Sequence, residues 1–404
     1  MRNLGILYTY EWKKLVKRKM TWIAFFIALA MTMLSVFSDV TGKYYVDGVL
    51  YETYYEMMQK DKEYAKALSG RAVDQELIEE MKAAYEKVPF NVPRYSLTDE
   101  YQAYARPYSE IFQFVRKTMK FTGPEEMLTW EVDEGAFYEQ FRQNMVKKWE
   151  NNFLLTDGER QFWAAEAAAI EKPIVFGYAG GYEKLISVSY SIAMILMMMV
   201  AVCLSDFFAK EHVIRTDQLL LSSRFGKRQL FWAKILAGLS FVVVNVLVIW
   251  LIDLVMAFGL YGTDGGDIMI QFMLPDYPMA LRLDTAVAIM SVMMLLGALM
   301  VGAFVMVLSE LMHNSVGTLA VISCVILIPM FMSNPFTNRI LAQAWACLPS
   351  ILLDWDNVLG LWLVPFFGEY LTMWQALPLF YLILGVILFF IGRWGYRNYQ
   401  VRGR

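Results

Sequence analysis

Six apolar runs, at about 20–38, 185–206, 232–258, 284–309, 316–333 and 372–392, leave this chain few ways to fold. Each is close to the roughly 20 residues an α-helix needs to cross the hydrocarbon core of a bilayer. Backbone in that core must satisfy its own N–H and C=O groups, which selects helices over open strands. Composition agrees, since 57% of the 404 residues are hydrophobic, only 19% are charged, and the mean hydropathy is +0.39. That is too apolar for a typical soluble enzyme. The first run is too long for the h-region of a cleavable signal peptide, and no small-x-small site precedes the acidic stretch that begins at Asp39. The sequence therefore predicts an all-α polytopic membrane protein with six transmembrane helices.

Orientation follows from the basic residues. Arg2, Lys13, Lys14, Lys17, Arg18 and Lys19 precede or open the first run. Lys210, Arg215, Arg224, Lys227, Arg228 and Lys234 lie between the second and third, and Arg393, Arg397, Arg402 and Arg404 follow the last. Six crossings put all three groups on one face, which the positive-inside rule makes the cytoplasm. Both termini are then cytoplasmic. Ahead of the first span, Leu4, Leu7, Tyr8, Trp12, Leu15 and Val16 form an apolar stripe at helical spacing. Such a helix lies in the inner interface, with its basic residues near anionic head groups.

The opposite face holds the largest polar piece, an insert between the first and second spans in which acidic residues outnumber basic ones. Phe137, Phe141, Met145 and Trp149 recur every fourth residue, and Ser96–Asp99 and Thr156–Glu159 have capping-box spacing. Strand-like alternation and hairpin dipeptides are scarce, so the insert reads as a helical extracytoplasmic domain. It has no cysteine; Cys203 and Cys324 lie in spans and Cys347 outside them, so no disulfide framework holds it.

The expected organisation has an interfacial helix at 1–19, a span at 20–38, the helical domain at 39–181 and a span at 182–206. A cytoplasmic loop at 207–231 follows, then three spans within 232–333, an outer segment at 334–371, a span at 372–392 and a cytoplasmic tail at 393–404. The outer segment is aromatic and broken by Pro335, Pro349 and Pro365, and its Trp345, Trp355 and Trp362 suit an interfacial or re-entrant course. A seventh span through 351–367 would leave the arginine-rich tail outside, against the charge rule.

Signs of chemistry are scarce. No GxxxxGK followed by Ser or Thr is present, and RFGKRQ lacks the first glycine and the hydroxyl residue, so this chain is expected to hydrolyse no ATP. His212 and His313 stand far apart without HExxH or paired spacing, which predicts no metal site. There is no GxSxG nucleophile elbow, no cofactor motif, and nothing that points to nucleic acid. Asp206, Asp253, Arg282, Asp284 and Glu310 fall near span ends, where water relieves the cost of charge. The Met-rich ILMMMV at 195–200 suits ordinary lipid-facing or packing surface, with an adaptable substrate-facing surface as the alternative.

The remaining feature is the long basic connection DFFAKEHVIRTDQLLLSSRFGKRQLFWAKIL. It resembles the cytoplasmic loop of type-II ATP-binding-cassette exporter permeases, the multidrug and polysaccharide exporter superfamily. Glu211 fits that family's acidic position and Thr216 its turn. Leu219, Leu220, Leu221, Ser222 and Ser223 fit the leucine-serine segment, and Arg224, Lys227 and Arg228 the basic approach to Lys234. Arg215 stands where the family has glycine, and Arg224-Phe225 where it has Pro-Val. EWKK at 11–14, the six-span layout and the large insert extend the likeness.

The resemblance implies a non-catalytic permease in a bacterial cell membrane, working as a homodimer or related heterodimer. It also implies separate cytoplasmic ATPase subunits that bind the ATP and Mg. The loop would then be a coupling helix, with Leu219, Leu220, Leu221 and Phe225 as an apolar side entering the ATPase and Glu211, Arg215, Arg224 and Lys227 orienting it. Two readings of other classes stand beside it. A secondary transporter would show repeated halves and central ionisable residues. A membrane sensor or assembly protein would bind a ligand in the exterior domain.

Overall fold

The computed structural model describes residues 2–214, 216, 228–332, 334, 336–352 and 354–398. Among these, five helices are long and apolar enough to cross a membrane. They are α2 (Lys19–Phe37), α9 (Gly180–Leu204), α11 (Gln229–Tyr261), α12 (Leu283–Met312) and α16 (Met373–Asn398). The sixth expected span is the shorter α13 (Ser315–Met330), whose 16 residues include Pro329. At 1.5 Å per residue it reaches about 24 Å, short of a hydrocarbon core of about 30 Å. Pro329 offers no N–H to the helix, and the chain leaves it in tight turns from Phe331 N to Ile328 O and from Met332 N to Pro329 O.

The chain divides into two compact units. The first comprises Met1–Ser35, Val188–Val255 and Ile289–Arg404. Helix α1 (Arg2–Val16) precedes α2, and a turn at 205–208 separates α9 from the short α10 (Ala209–Val213). Leu196, Met197, Met199, Val200 and Ala201 of α9 are buried, which makes much of the ILMMMV run packing surface. Helices α11 and α12 approach closely through glycine. A Cβ built at Gly302 would meet Val242 Cγ2 at 2.9 Å, and one at Gly238 would meet Met306 Sδ at 2.3 Å. Small residues at such crossings let helix backbones pack where lipid supplies no hydrophobic drive. Phe26, Ile27 and Leu34 of α2 and Leu382, Ile383 and Phe390 of α16 are exposed, a surface suited to hydrocarbon.

Beyond α13, the segment at 334–371 contains α14 (Arg339–Ala346), α15 (Trp355–Val358) and an antiparallel hairpin among its described residues. Its strands are β3 (Leu363–Phe366) and β4 (Glu369–Thr372), turning at Phe367 and Gly368, both with positive φ. Phe367 is 95% exposed at the hairpin tip.

The second unit comprises Val36–Ser187 and Met256–Ala288. It too contains a hairpin, β1 (Lys43–Val46) and β2 (Val49–Thr53). The turn residues Asp47 and Gly48 both have positive φ, the geometry that an Asp-Gly pair adopts readily. Six helices follow: α3 (Tyr54–Leu68), α4 (Gln75–Tyr85), α5 (Ser109–Met119), α6 (Pro124–Thr129), α7 (Glu134–Glu150) and α8 (Asp157–Ala168). Thr156 and Glu159 form the capping box expected at α8, and Thr53 with Glu56 forms another at α3. Ser96 instead lies inside a 3-10 turn, and Thr98 accepts from Tyr101 N at 3.2 Å.

Phe137, Phe141, Met145 and Trp149 are all buried along α7, and Phe114 of α5 packs against Phe137, Phe141 and Phe272. The Tyr138 hydroxyl donates to Val73 O at 2.8 Å and accepts from Ile174 N at 2.9 Å, tying α7 to two loop segments. Arg106 is buried and reaches Asp61 and Gln102 at 2.6 Å, Met57 O at 3.1 Å and Glu52 of β2 at 3.3 Å.

Candidate functional site

The root of the basic connection is held by charge. Lys234, near the start of α11, is fully buried. Its Nζ lies 2.9 Å from Glu211 Oε1 on α10 and 3.3 Å from Glu11 Oε2 on α1. It also donates to Phe207 O at 3.2 Å and sits 4.8 Å from the Phe207 and Phe208 ring centroids. Lys14 closes the figure, 2.5 Å from Glu11 and 2.9 Å from Glu211. Two carboxylates and two ammonium groups thus alternate. Burial works against the charge on Lys14, but Glu211 and Glu11 outweigh it and hold its pKa above the ordinary lysine value.

Such a cluster is not a cheap source of stability, because desolvating ions offsets much of their attraction. What it supplies is register. A lysine ammonium presents three donors; here Glu211 of α10 and the Phe207 carbonyl in the turn before α10 accept, and Glu11 of α1 adds a further opposite charge.

That turn has its own support. Breaking the helix at 205–208 frees backbone groups that must find partners when buried. Ser309 of α12, itself fully buried, accepts from Phe208 N at 3.2 Å and Ala209 N at 3.0 Å and donates to Ser205 O at 2.7 Å. Arg18 pairs with Asp206 and donates to Cys203 O at 3.4 Å. His212 Nε2 lies 3.3 Å from Glu310 Oε2. Thr216 N returns to Glu211 O at 3.0 Å, so the two residues expected at the acidic and turn positions are joined directly.

Arg215, Leu219, Leu220, Leu221, Ser222, Arg224, Phe225 and Lys227 lie outside the described residues. Glu211 and Thr216 are the described members of the expected coupling set. Sequence reasoning singled out Glu211 and Lys234 but not their pairing, and it met Glu11 only within EWKK. The signal available was a glutamate on the amphipathic helix less than one turn from the lysines at its basic end. Asp253, expected to be relieved by water near a span end, is instead fully buried on α11.

The second unit holds a cavity of about 500 Å³, lined by Asp61, Glu110, Glu183, Lys62, Lys184 and Tyr178 among others. Burial, with the nearby charges of Glu183 and Asp61, pushes the Glu110 carboxyl up to about 8. Lys184 is fixed by Ser38 at 3.1 Å and Asp39 at 2.7 Å.

A set of long apolar helices with buried charges gathered at their ends defines a multi-pass membrane protein. The chain belongs to the ABC-2 family transporter proteins, whose family pattern matches residues 6–347. It is an ABC-2 type permease, in a family of membrane transport subunits that are generally non-catalytic and generally partner with an ATP-binding-cassette ATPase. No match was found among the curated proteins.

Proposed function

We propose that this chain is the membrane subunit of an ATP-driven bacterial exporter and forms its translocation path as a dimer. Separate cytoplasmic ATPase subunits dock on the connection at 207–231. The supporting observation is the position of Glu211, which lies between Lys14 of α1 and Lys234 of α11 at the root of that connection. A push on the connection would reach α1 and α11 together, as rigid-body coupling requires. The exterior domain, in this reading, receives or releases substrate and takes no part in ATPase docking. Vesicles carrying this chain and its ATPase test the proposal. Nucleotide-stimulated transport is expected; transport driven by an ion gradient alone would favour a secondary transporter, and ligand binding without transport would favour a sensor.

A further inference from the structure

The two histidines, separated in sequence without a ligand motif, meet in the fold. His212 is on α10, His313 is in the short turn between α12 and α13, and Glu310 is in the last turn of α12. Their ligand atoms all lie within 4.8 Å of one another, and the two imidazole rings stand edge to face with centroids 4.1 Å apart. We propose that His212, His313 and Glu310 form a binding site for a divalent transition-metal ion, Zn²⁺ by preference.

Donor chemistry is the first argument. Two imidazoles and one carboxylate are a borderline-soft set that suits Zn²⁺, with a fourth position left to water. Tetrahedral bonds of about 2.1 Å place donor atoms about 3.4 Å apart, so side-chain rotation of about 1 Å closes the site. The second argument is Glu310 itself. Its side chain is 2% exposed, and Oε1 is buried without a hydrogen-bond partner. An unsatisfied buried carboxylate oxygen is costly, and a cation between the rings would satisfy it.

Backbone and charge point the same way. His313 has φ of 53°, a left-handed conformation uncommon outside glycine, held by the Asn314 cap that accepts from Val316 N and Gly317 N. Backbone strain of this kind persists where surrounding structure over-determines it and marks candidate functional sites. Around the site, Glu11, Glu211 and Glu310 face Lys14 and Lys234, while Arg18 and Asp206 cancel. Bound metal would tie α10 to the α12–α13 turn beside the start of the basic connection.

The test uses the full chain, purified in detergent on a tag without histidines, stripped with chelator and titrated with Co²⁺ and Zn²⁺. The wild type is expected to bind one equivalent of Co²⁺ with the intense ligand-field absorption of a low-coordinate site, displaced by Zn²⁺. His212→Gln and His313→Asn should each lose that equivalent; asparagine retains tolerance of the left-handed backbone. Both variants should elute as the wild type does in metal-free buffer. X-ray absorption of the Zn²⁺-loaded wild type gives a second reading that needs no variant, with imidazole and oxygen scatterers expected. No saturable binding, binding that survives either substitution, or sulfur in the coordination shell overturns the proposal.

Discussion

Lys234 Nζ lies 2.9 Å from Glu211 Oε1, joining the start of one membrane helix to the short helix that ends another. Lys234 is fully buried and Glu211 nearly so, and each is also matched by a second opposite charge from α1. Removing one member therefore strands the others. Lys234→Met should destabilise the protein by about 3–5 kcal/mol, the cost of leaving a buried charge uncompensated. Denaturation in detergent reads that loss. The double variant Lys234→Met with Glu211→Gln should lose less than the two single losses added together. Full additivity would mean that the two side chains do not interact.

Phe141 is fully buried between Phe114 and Tyr138 in the second unit. Phe141→Ala should cost about 3–5 kcal/mol. Hydrogen exchange should speed up along α5 and α7, with α9 and α11 keeping wild-type protection. Uniform loss across all helices would contradict the separation into two compact units.

Glu110 gives a pH dependence of definite sign. Its folded pKa, about 8, is raised above the ordinary value of 4.5. Between those values the folded state holds a proton that the unfolded state has released, so stability falls as pH rises through this window and levels off above about 8. Below 4.5 the contribution is fully present. Pulse proteolysis of the second unit should show greater resistance at the acid end of the window, and Glu110→Gln should flatten the difference. An unchanged slope in that variant would place the titration elsewhere.

Much of this architecture is legible from side-chain pattern alone. The stripe through Phe137, Phe141, Met145 and Trp149 reads correctly because a single period governs one buried face. Thr156 and Glu159 read correctly because a capping box is local. The hairpin at Asp47-Gly48 goes against the expectation drawn from scarce alternation and scarce hairpin dipeptides: one Asp-Gly pair suffices, although Lys43–Val46 and Val49–Thr53 lack an apolar-polar alternation. Tertiary contacts are a different matter. Glu11, Glu211 and Lys234, or His212 and His313, come together only through helix crossings, and no spacing rule links them. The basic clusters were plain to see, but not which of them is buried against carboxylates.

Orientation rests on the basic residues at 2–19, 210–234 and 393–404. Single cysteines placed at Lys62 or Lys147 in a cysteine-free background should react with an impermeant maleimide on intact cells. One at Lys227 should react only after lysis. Labelling of Lys227 before lysis would invert the assignment.

The most direct measurement is co-purification of the partner ATPase with a Leu220→Asp chain. The leucine-serine segment is proposed to enter an apolar groove on the ATPase, where an unpaired carboxylate should weaken assembly by a few kcal/mol, on the order of a buried unsatisfied charge. The variant is expected to insert into the membrane normally, to lose the ATPase on extraction, and to lose ATP-driven transport with it. Recovery of the ATPase at wild-type yield, with full ATP-driven transport, would contradict docking at this connection.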